Sequence, residues 1–129
     1  FGCGSGILAL AASCLGADHV YAVDIDPQAI TATHDNLNRN QLNADNFTIG
    51  SIDTLAKVKT DIIVANILAA PLIELRDIFL EHLKNHGTLV VSGILQSQTE
   101  SICQHYSHQF HCNQIYQQEE WACISFTRI

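Results

Sequence analysis

Three glycines at alternate positions, Gly2, Gly4 and Gly6, run directly into the apolar stretch Ile7–Ala12. A glycine-built turn between strand and helix lets a ligand approach the backbone closely, and the helix N-terminus behind it favours negative charge. Eighteen residues after Gly6, the run Val20-Tyr-Ala-Val23 ends in Asp24. An acid at the tip of the next strand accepts hydrogen bonds from both hydroxyls of a ribose. Together these residues describe a pocket for an adenosine-containing cofactor. Asn66 is the remaining candidate for chemistry. It closes the apolar run that starts at Asp61, and ligands of open α/β sheets sit at the carboxyl ends of strands. Its amide is placed to orient an attacking amine or the cofactor itself; a plain turn before Pro71 is the alternative.

Glycine spacing discriminates between cofactors. The dinucleotide fingerprint puts its third glycine three positions after the second, and here that position is Ile7. The tighter G-x-G-x-G form, followed by a strand ending in acid, is similar to that of S-adenosylmethionine-dependent methyltransferases. A methionine carboxylate is smaller than a pyrophosphate and needs a smaller nest of backbone N–H groups. A bare glycine turn would explain Gly2, Gly4 and Gly6 but not the acid that follows them.

Other residues invite weaker readings. Asp26 precedes Pro27 and reads as a helix N-cap more than as a ligand. Ser51 and Asp53 end the third strand, where they can bond an adenine ring amine or cap their own loop. Cys103, His105, His108, His111 and Cys112 resemble metal ligands in number. Their i, i+3, i+6 imidazoles spread over about 600° of helix and do not converge, so no metal is expected. His19, His34, His82 and His86 read as surface residues. Cys3 is a small packing residue inside the turn. Glu119-Glu120-Trp121 reads as a charged turn with a core tryptophan, or as an acidic lip and aromatic wall for a cationic substrate.

Composition narrows the class. A chain of 129 residues, 47% hydrophobic and 15% charged, suits one domain, residues 1–129, with a buried core. No apolar run reaches the ~20 residues of a membrane span. Five cysteines without a C-x-x-C argue against a disulfide framework and for the reducing cytoplasm. A net charge of −7 with six Lys and Arg argues against a nucleic-acid surface and suits a basic partner. A monomer is expected.

Positioning these residues falls to alternating strands and helices, the pattern of a doubly wound, mostly parallel α/β sheet. The first helix is expected over Ser5–Leu15, stopping at Gly16, and the next strand over His19–Asp24. Asp26-Pro27 opens a helix whose Ile30, Thr33 and Leu37 face inward, with Asp35, Asn36 and Arg39 outward. Asn40–Asn46 reads as a loop, Phe47–Gly50 as a strand and Ser51–Lys59 as a polar connection. Asp61–Asn66 is the clearest buried strand. Pro71 begins a helix with a Leu72, Leu75, Phe79, Leu83 stripe that ends at His86-Gly87. Thr88–Ser92 is a strand, and Gln96–Gln109 an amphipathic helix. Asn113–Gln118 and Trp121–Arg128, joined only by Glu119-Glu120, should pair as an antiparallel hairpin at a sheet edge. A glycine turn of this kind normally follows a central strand, yet only Phe1 precedes it, so the first central strand is expected to be missing and the chain to be a fragment.

These pieces resemble the C-terminal catalytic domain of the ribosomal protein L11 methyltransferases. The resemblance rests on Gly2-Cys-Gly-Ser-Gly-Ile-Leu8, Val23-Asp-Ile-Asp-Pro-Gln-Ala-Ile30, Val64-Ala-Asn-Ile-Leu-Ala69, Ser92-Gly-Ile-Leu95 and Glu119-Glu-Trp121, in order over nearly the whole length. It implies a Rossmann-like methyltransferase fold and methyl transfer from S-adenosylmethionine to amines of a basic ribosomal protein. Lysine side chains and the N-terminal amine would be the acceptors. It places cofactor contacts at Gly2, Gly4, Asp24 and Asn66, with Asn66 also the catalytic candidate. Another amine or amide methyltransferase, or a nucleotide-binding module without catalysis, would share most of these features.

Overall fold

The computed structural model describes residues 1–129, which divide into two compact units, Phe1–Ala56 and Lys57–Ile129.

In the first unit, helix α1 (Ile7–Cys14) starts at Gly6. It closes at Gly16, whose φ is 103°. The Gly16 N–H donates to Ser13 and the Ala17 N–H to Ala12, at 3.1 Å each, a Schellman ending. Strand β1 (Val20–Val23) pairs in parallel with β2 (Phe47–Gly50), and helix α2 (Pro27–Arg39) connects them. Asp26 caps α2 by accepting from the Gln28 N–H at 2.9 Å, and Pro27 occupies the first turn, where its missing N–H costs nothing. Two 3₁₀ turns, Ala44–Asn46 and Ile52–Leu55, flank β2.

The second unit is a four-stranded sheet of β3 (Thr60–Asn66), β4 (Leu83–Leu95), β5 (Phe110–Gln118) and β6 (Trp121–Arg128). Its spatial order is β3-β4-β6-β5. The β3/β4 pair is parallel, and β6 runs antiparallel to both neighbours. The expected hairpin is present, its two-residue link too short for a parallel crossover. One face packs on helices α3 (Ala69–Glu74), α4 (Arg76–His82) and α5 (Thr99–Tyr106). Phe79, Tyr106, Phe110 and Phe126 are buried there. The Tyr106 and Phe126 rings stack at 5.2 Å, and the Tyr106 hydroxyl donates to the Leu72 carbonyl at 2.6 Å.

Several expectations are corrected. The helix expected from Pro71 to His86 is two helices, and Leu83 already belongs to β4, paired with Thr60. Leu83 is extended and paired in β4, so the helix stops before it where the apolar spacing alone would carry it on, and the Arg128 guanidinium donates to the carbonyls of Leu80 and Leu83 at that end. The Gln96–Gln109 helix shortens to a 3₁₀ turn at Gln96–Gln98 plus α5, because Phe110 is drawn into β5. Strand β3 is not buried on both sides: Ile63 and Ala65 face the core, while Ile62 is 61% exposed. His82 is not a surface residue. It is buried, and its Nδ1 lies 2.9 Å from the Val58 carbonyl oxygen.

Candidate functional site

The glycine turn is held from two sides within Phe1–Ala56. Gly2, Gly4 and Gly6 all adopt left-handed φ values of 65°, 54° and 85°, which a residue with a Cβ adopts at a cost. Asp24, at the tip of β1, reaches the turn directly: its Oδ2 accepts from the Gly4 N–H at 3.0 Å. Its Oδ1 accepts from the Asp26 N–H, also at 3.0 Å. A carboxylate offers roughly four acceptor positions, so about two remain for incoming hydroxyl donors.

Helix α2 supplies the other side. The Thr33 hydroxyl, fully buried, donates toward the Gly4 carbonyl at 3.1 Å and lies 3.3 Å from Cys3 Sγ. The Asn36 amide donates to the Ser5 carbonyl at 2.7 Å. With those carbonyls engaged by α2, the Cys3 N–H bound to Val23 and the Gly4 N–H bound to Asp24, the turn is fixed at four points. Gly6 is required by space as well as by φ, since a Cβ there would stand 2.8 Å from Thr33 Cγ2. No side chain caps the first turn of α1, so its N–H groups stay available to an anion.

Thr33 and Asn36 were not legible as site residues. Thr33 fits the inward stripe of α2, and Asn36 falls on its outward face. Only the packing of α2 against the turn reveals their bonds.

Asp26 does what its position suggested, capping α2 while its own N–H orients Asp24. After β2, Ser51 and Asp53 are exposed, and neither side chain caps the turn they occupy. Thr54 supplies that bond, its hydroxyl donating to the Ser51 carbonyl at 2.7 Å.

In Lys57–Ile129, Asn66 stands exposed at the tip of β3, in register with Ser92 of β4. The N-cap of α3 is Leu68, two residues further on. Beside it, Gly93 has φ 80°, and a Cβ there would lie 2.7 Å from Asn66 Oδ1 and 2.9 Å from the Ile67 carbonyl oxygen. Gly93 falls in the β4/β6 register shift between Val91 and Ile94, a bulge of the kind that re-aims side chains next to sites.

These residues open onto a cleft of about 820 Å³ that Asn66, Ser92, Gly93, Tyr116, Trp121 and Cys123 help to line. Of the two readings of Trp121, the core one fails: it is 48% exposed on the cleft wall, which Tyr116 of the neighbouring strand also lines. The hairpin tip is tied to the start of the Gln96 turn, where the Gln96 amide donates to the Glu119 carbonyl at 2.8 Å.

Of the cysteine and histidine cluster, no three His, Cys, Asp or Glu side chains converge as a metal site would require. His105 instead lies 3.2 Å from the Ile73 carbonyl oxygen. Cys103 and Cys112, however, do meet, with their sulfurs 3.7 Å apart.

The family model for ribosomal protein L11 methyltransferase (PrmA) matches residues 1–129. The chain belongs to the ribosomal protein L11 methyltransferase family. It is 44% identical over 128 residues to the ribosomal protein L11 methyltransferase of Teredinibacter turnerae, covering 99% of this chain and 43% of that protein. To the family member from Aliivibrio salmonicida it is 48% identical over 126 residues, covering 97% of this chain and 42% of that protein. The chain thus spans less than half the length of these relatives. The crystal structure of a ribosomal protein L11 methylase from Lactobacillus delbrueckii subsp. bulgaricus superposes with a TM-score of 0.89 at 34% identity. That match covers 98% of this chain and 66% of the crystallised one. The fold is accordingly the Rossmann-like α/β fold of these methyltransferases.

Proposed function

We propose that residues 1–129 form one methyltransferase domain that uses S-adenosylmethionine to methylate lysine and N-terminal amines of ribosomal protein L11. One observation carries this reading: the Asp24 carboxylate binds the Gly4 N–H while keeping acceptor capacity for two more donors. A ribose diol is the matching ligand.

The donor set suits an adenosyl amino acid. Asp24 would take the ribose, and the backbone at Gly2 and Gly4, with the uncapped first turn of α1, the amino-acid end. Ser51 and Asp53 would border the adenine. The spacing of Gly6 and Thr33 leaves no room for a side chain and keeps the backbone approachable. When bound, S-adenosylmethionine supplies a methyl group activated by a positively charged sulfur.

The protein's own part is positioning. Asn66, whose carbonyl oxygen can accept an N–H bond, orients the amine or holds the cofactor. Trp121 and Tyr116 give the cleft an apolar wall that disfavours a charged ammonium and so favours the neutral, nucleophilic amine. No side chain in the cleft is assigned as general base.

The net charge of −7 suits a basic ribosomal partner, without nucleic acid. No helix is long and apolar enough to cross a membrane; a monomer acting in the cytoplasm is part of the proposal.

Two measurements on the whole protein test the proposal. Calorimetry should give binding of S-adenosylmethionine and none of NAD, and ribosomal protein L11 should acquire methyl groups on its amines. Cofactor binding with methylation only of other amines or amides would reassign the substrate. Binding of NAD alone would overturn the methyltransferase reading.

A further inference from the structure

The sulfurs of Cys103 and Cys112 lie 3.7 Å apart, on α5 and β5, and neither residue belongs to the glycine turn or the Asn66 cleft. Both are free thiols and both are half-buried, so a small oxidant can reach them. The elements that carry them are firmly packed. Ile102 and Tyr106 of α5 are fully buried, and the Tyr106 ring meets Phe110 at 5.4 Å and Phe126 at 5.2 Å. The two sulfurs are therefore held together and cannot drift apart as exposed side chains do. Bond formation requires an approach to about 2.05 Å, within reach of side-chain rotation and small backbone shifts. The register shift between Cys112 and Gln114 lets Cys112 move without sliding the rest of the β5/β6 ladder.

We propose that Cys103 and Cys112 are a redox modification site, closing reversibly to a disulfide when the protein meets a peroxide. The Cys112 thiol gives up its proton and its sulfur attacks one peroxide oxygen; the O–O bond breaks, the departing hydroxide takes up a proton and leaves as water, and Cys112 becomes a sulfenic acid. The Cys103 sulfur then attacks Cys112 Sγ, its proton goes to the departing hydroxyl, and water leaves. Two thiols lose two hydrogens in all, and one hydrogen peroxide is reduced to two waters. Cys103 suits the second, resolving role. Burial, then its hydrogen bond to Cys112 and that neighbour's charge, push its thiol up to about 11. It stays protonated at neutral pH and donates S–H to Cys112. A dithiol reductant reverses the bond. This site does not depend on the methyltransferase reading.

The test is peptide mapping of the whole native protein after exposure to hydrogen peroxide and alkylation of the remaining thiols under denaturing conditions. No Lys or Arg separates the two cysteines, so trypsin leaves them on one peptide, whereas chymotrypsin cuts after Tyr106 and Phe110. The expected result is a Cys103–Cys112 cross-linked pair, two hydrogens lighter, that dithiothreitol separates. Cys103→Ser should instead leave Cys112 as a sulfenic acid trapped by dimedone. Recovery of both residues as alkylated thiols, or linkage of either to another cysteine, would overturn the proposal. The wild-type map decides the matter even where a variant fails to fold.

Discussion

Gly93 and Asn66 share one space: a Cβ on Gly93 would lie 2.7 Å from Asn66 Oδ1, closer than side-chain atoms pack. The backbone adds a second reason, because Gly93 has φ 80°. Gly93→Ala must therefore displace the Asn66 amide or reshape the bulge, with left-handed strain of about 1–2 kcal/mol. The expected outcome in the whole enzyme is a kcat lowered by up to about 100-fold, the scale of a misplaced positioning group. Affinity for S-adenosylmethionine, measured by calorimetry, should change far less if Asn66 serves the amine. An unaltered kcat would show that the placement of Asn66 is irrelevant to turnover.

Asn66→Ala separates chemistry from stability. The residue is exposed, so thermal unfolding should shift by no more than about 0.5 kcal/mol. Methylation of ribosomal protein L11 should fall by about 100-fold under the same assay. Full activity in the variant would remove Asn66 from the mechanism.

Asp24→Asn removes the charge that aligns the turn and that we propose meets the ribose. Charge-assisted hydrogen bonds contribute about 1.5–3 kcal/mol each, so the Kd for S-adenosylmethionine should rise at least about tenfold. Calorimetry on wild type and variant gives the comparison. An unchanged Kd would place the ribose elsewhere.

Thr33 tests whether α2 positions the turn through its hydroxyl or only fills space. Thr33→Val keeps the shape but leaves the Gly4 carbonyl without its donor, at a cost of about 1–3 kcal/mol. Weaker cofactor binding is expected with it. Thr33→Ser retains the donor and should restore affinity. Equal affinities for the two variants would mean that packing against Gly6, and not the hydrogen bond, matters.

Cys103 gives a pH signature. Its thiol is raised from 9.0 to about 11 in the folded chain, burial being the main cause. A raised thiol value favours the neutral form in the native state. The associated stability is fully present below pH 9 and is lost as pH rises through about 11. Iodoacetamide should label native Cys103 slowly at pH 8, where the thiolate fraction is on the order of 0.1%. Labelling should accelerate toward pH 11 and at any pH on denaturation; rapid labelling of the native protein at pH 8 would contradict the burial argument.

The amino-acid order alone determined the features whose physics is local. Alternating glycines, Asp26-Pro27, Gly16 behind α1 and the two-residue link at Glu119-Glu120 each act through backbone geometry within a few residues. Asp24 was legible because it terminates a β-branched run at a set distance from those glycines. Tertiary structure decided everything that depends on two distant elements meeting. Thr33 reads as a core residue, and only the packing of α2 against the turn shows its bond to Gly4; likewise only the side-by-side placement of β3 and β4 sets Asn66 Oδ1 against Gly93. Of the two readings of Trp121, tertiary structure chose the cleft wall, and α4 stops at His82 because Leu83 is extended and pairs with Thr60 in β4. Helical periodicity separates the three imidazoles but says nothing of Cys103 and Cys112, which meet because the strand following that helix turns back and brings Cys112 beside it. Periodicity encodes which face of an element seeks the core, whereas the identity of the neighbour across that core is set by side-chain packing between segments far apart in the chain.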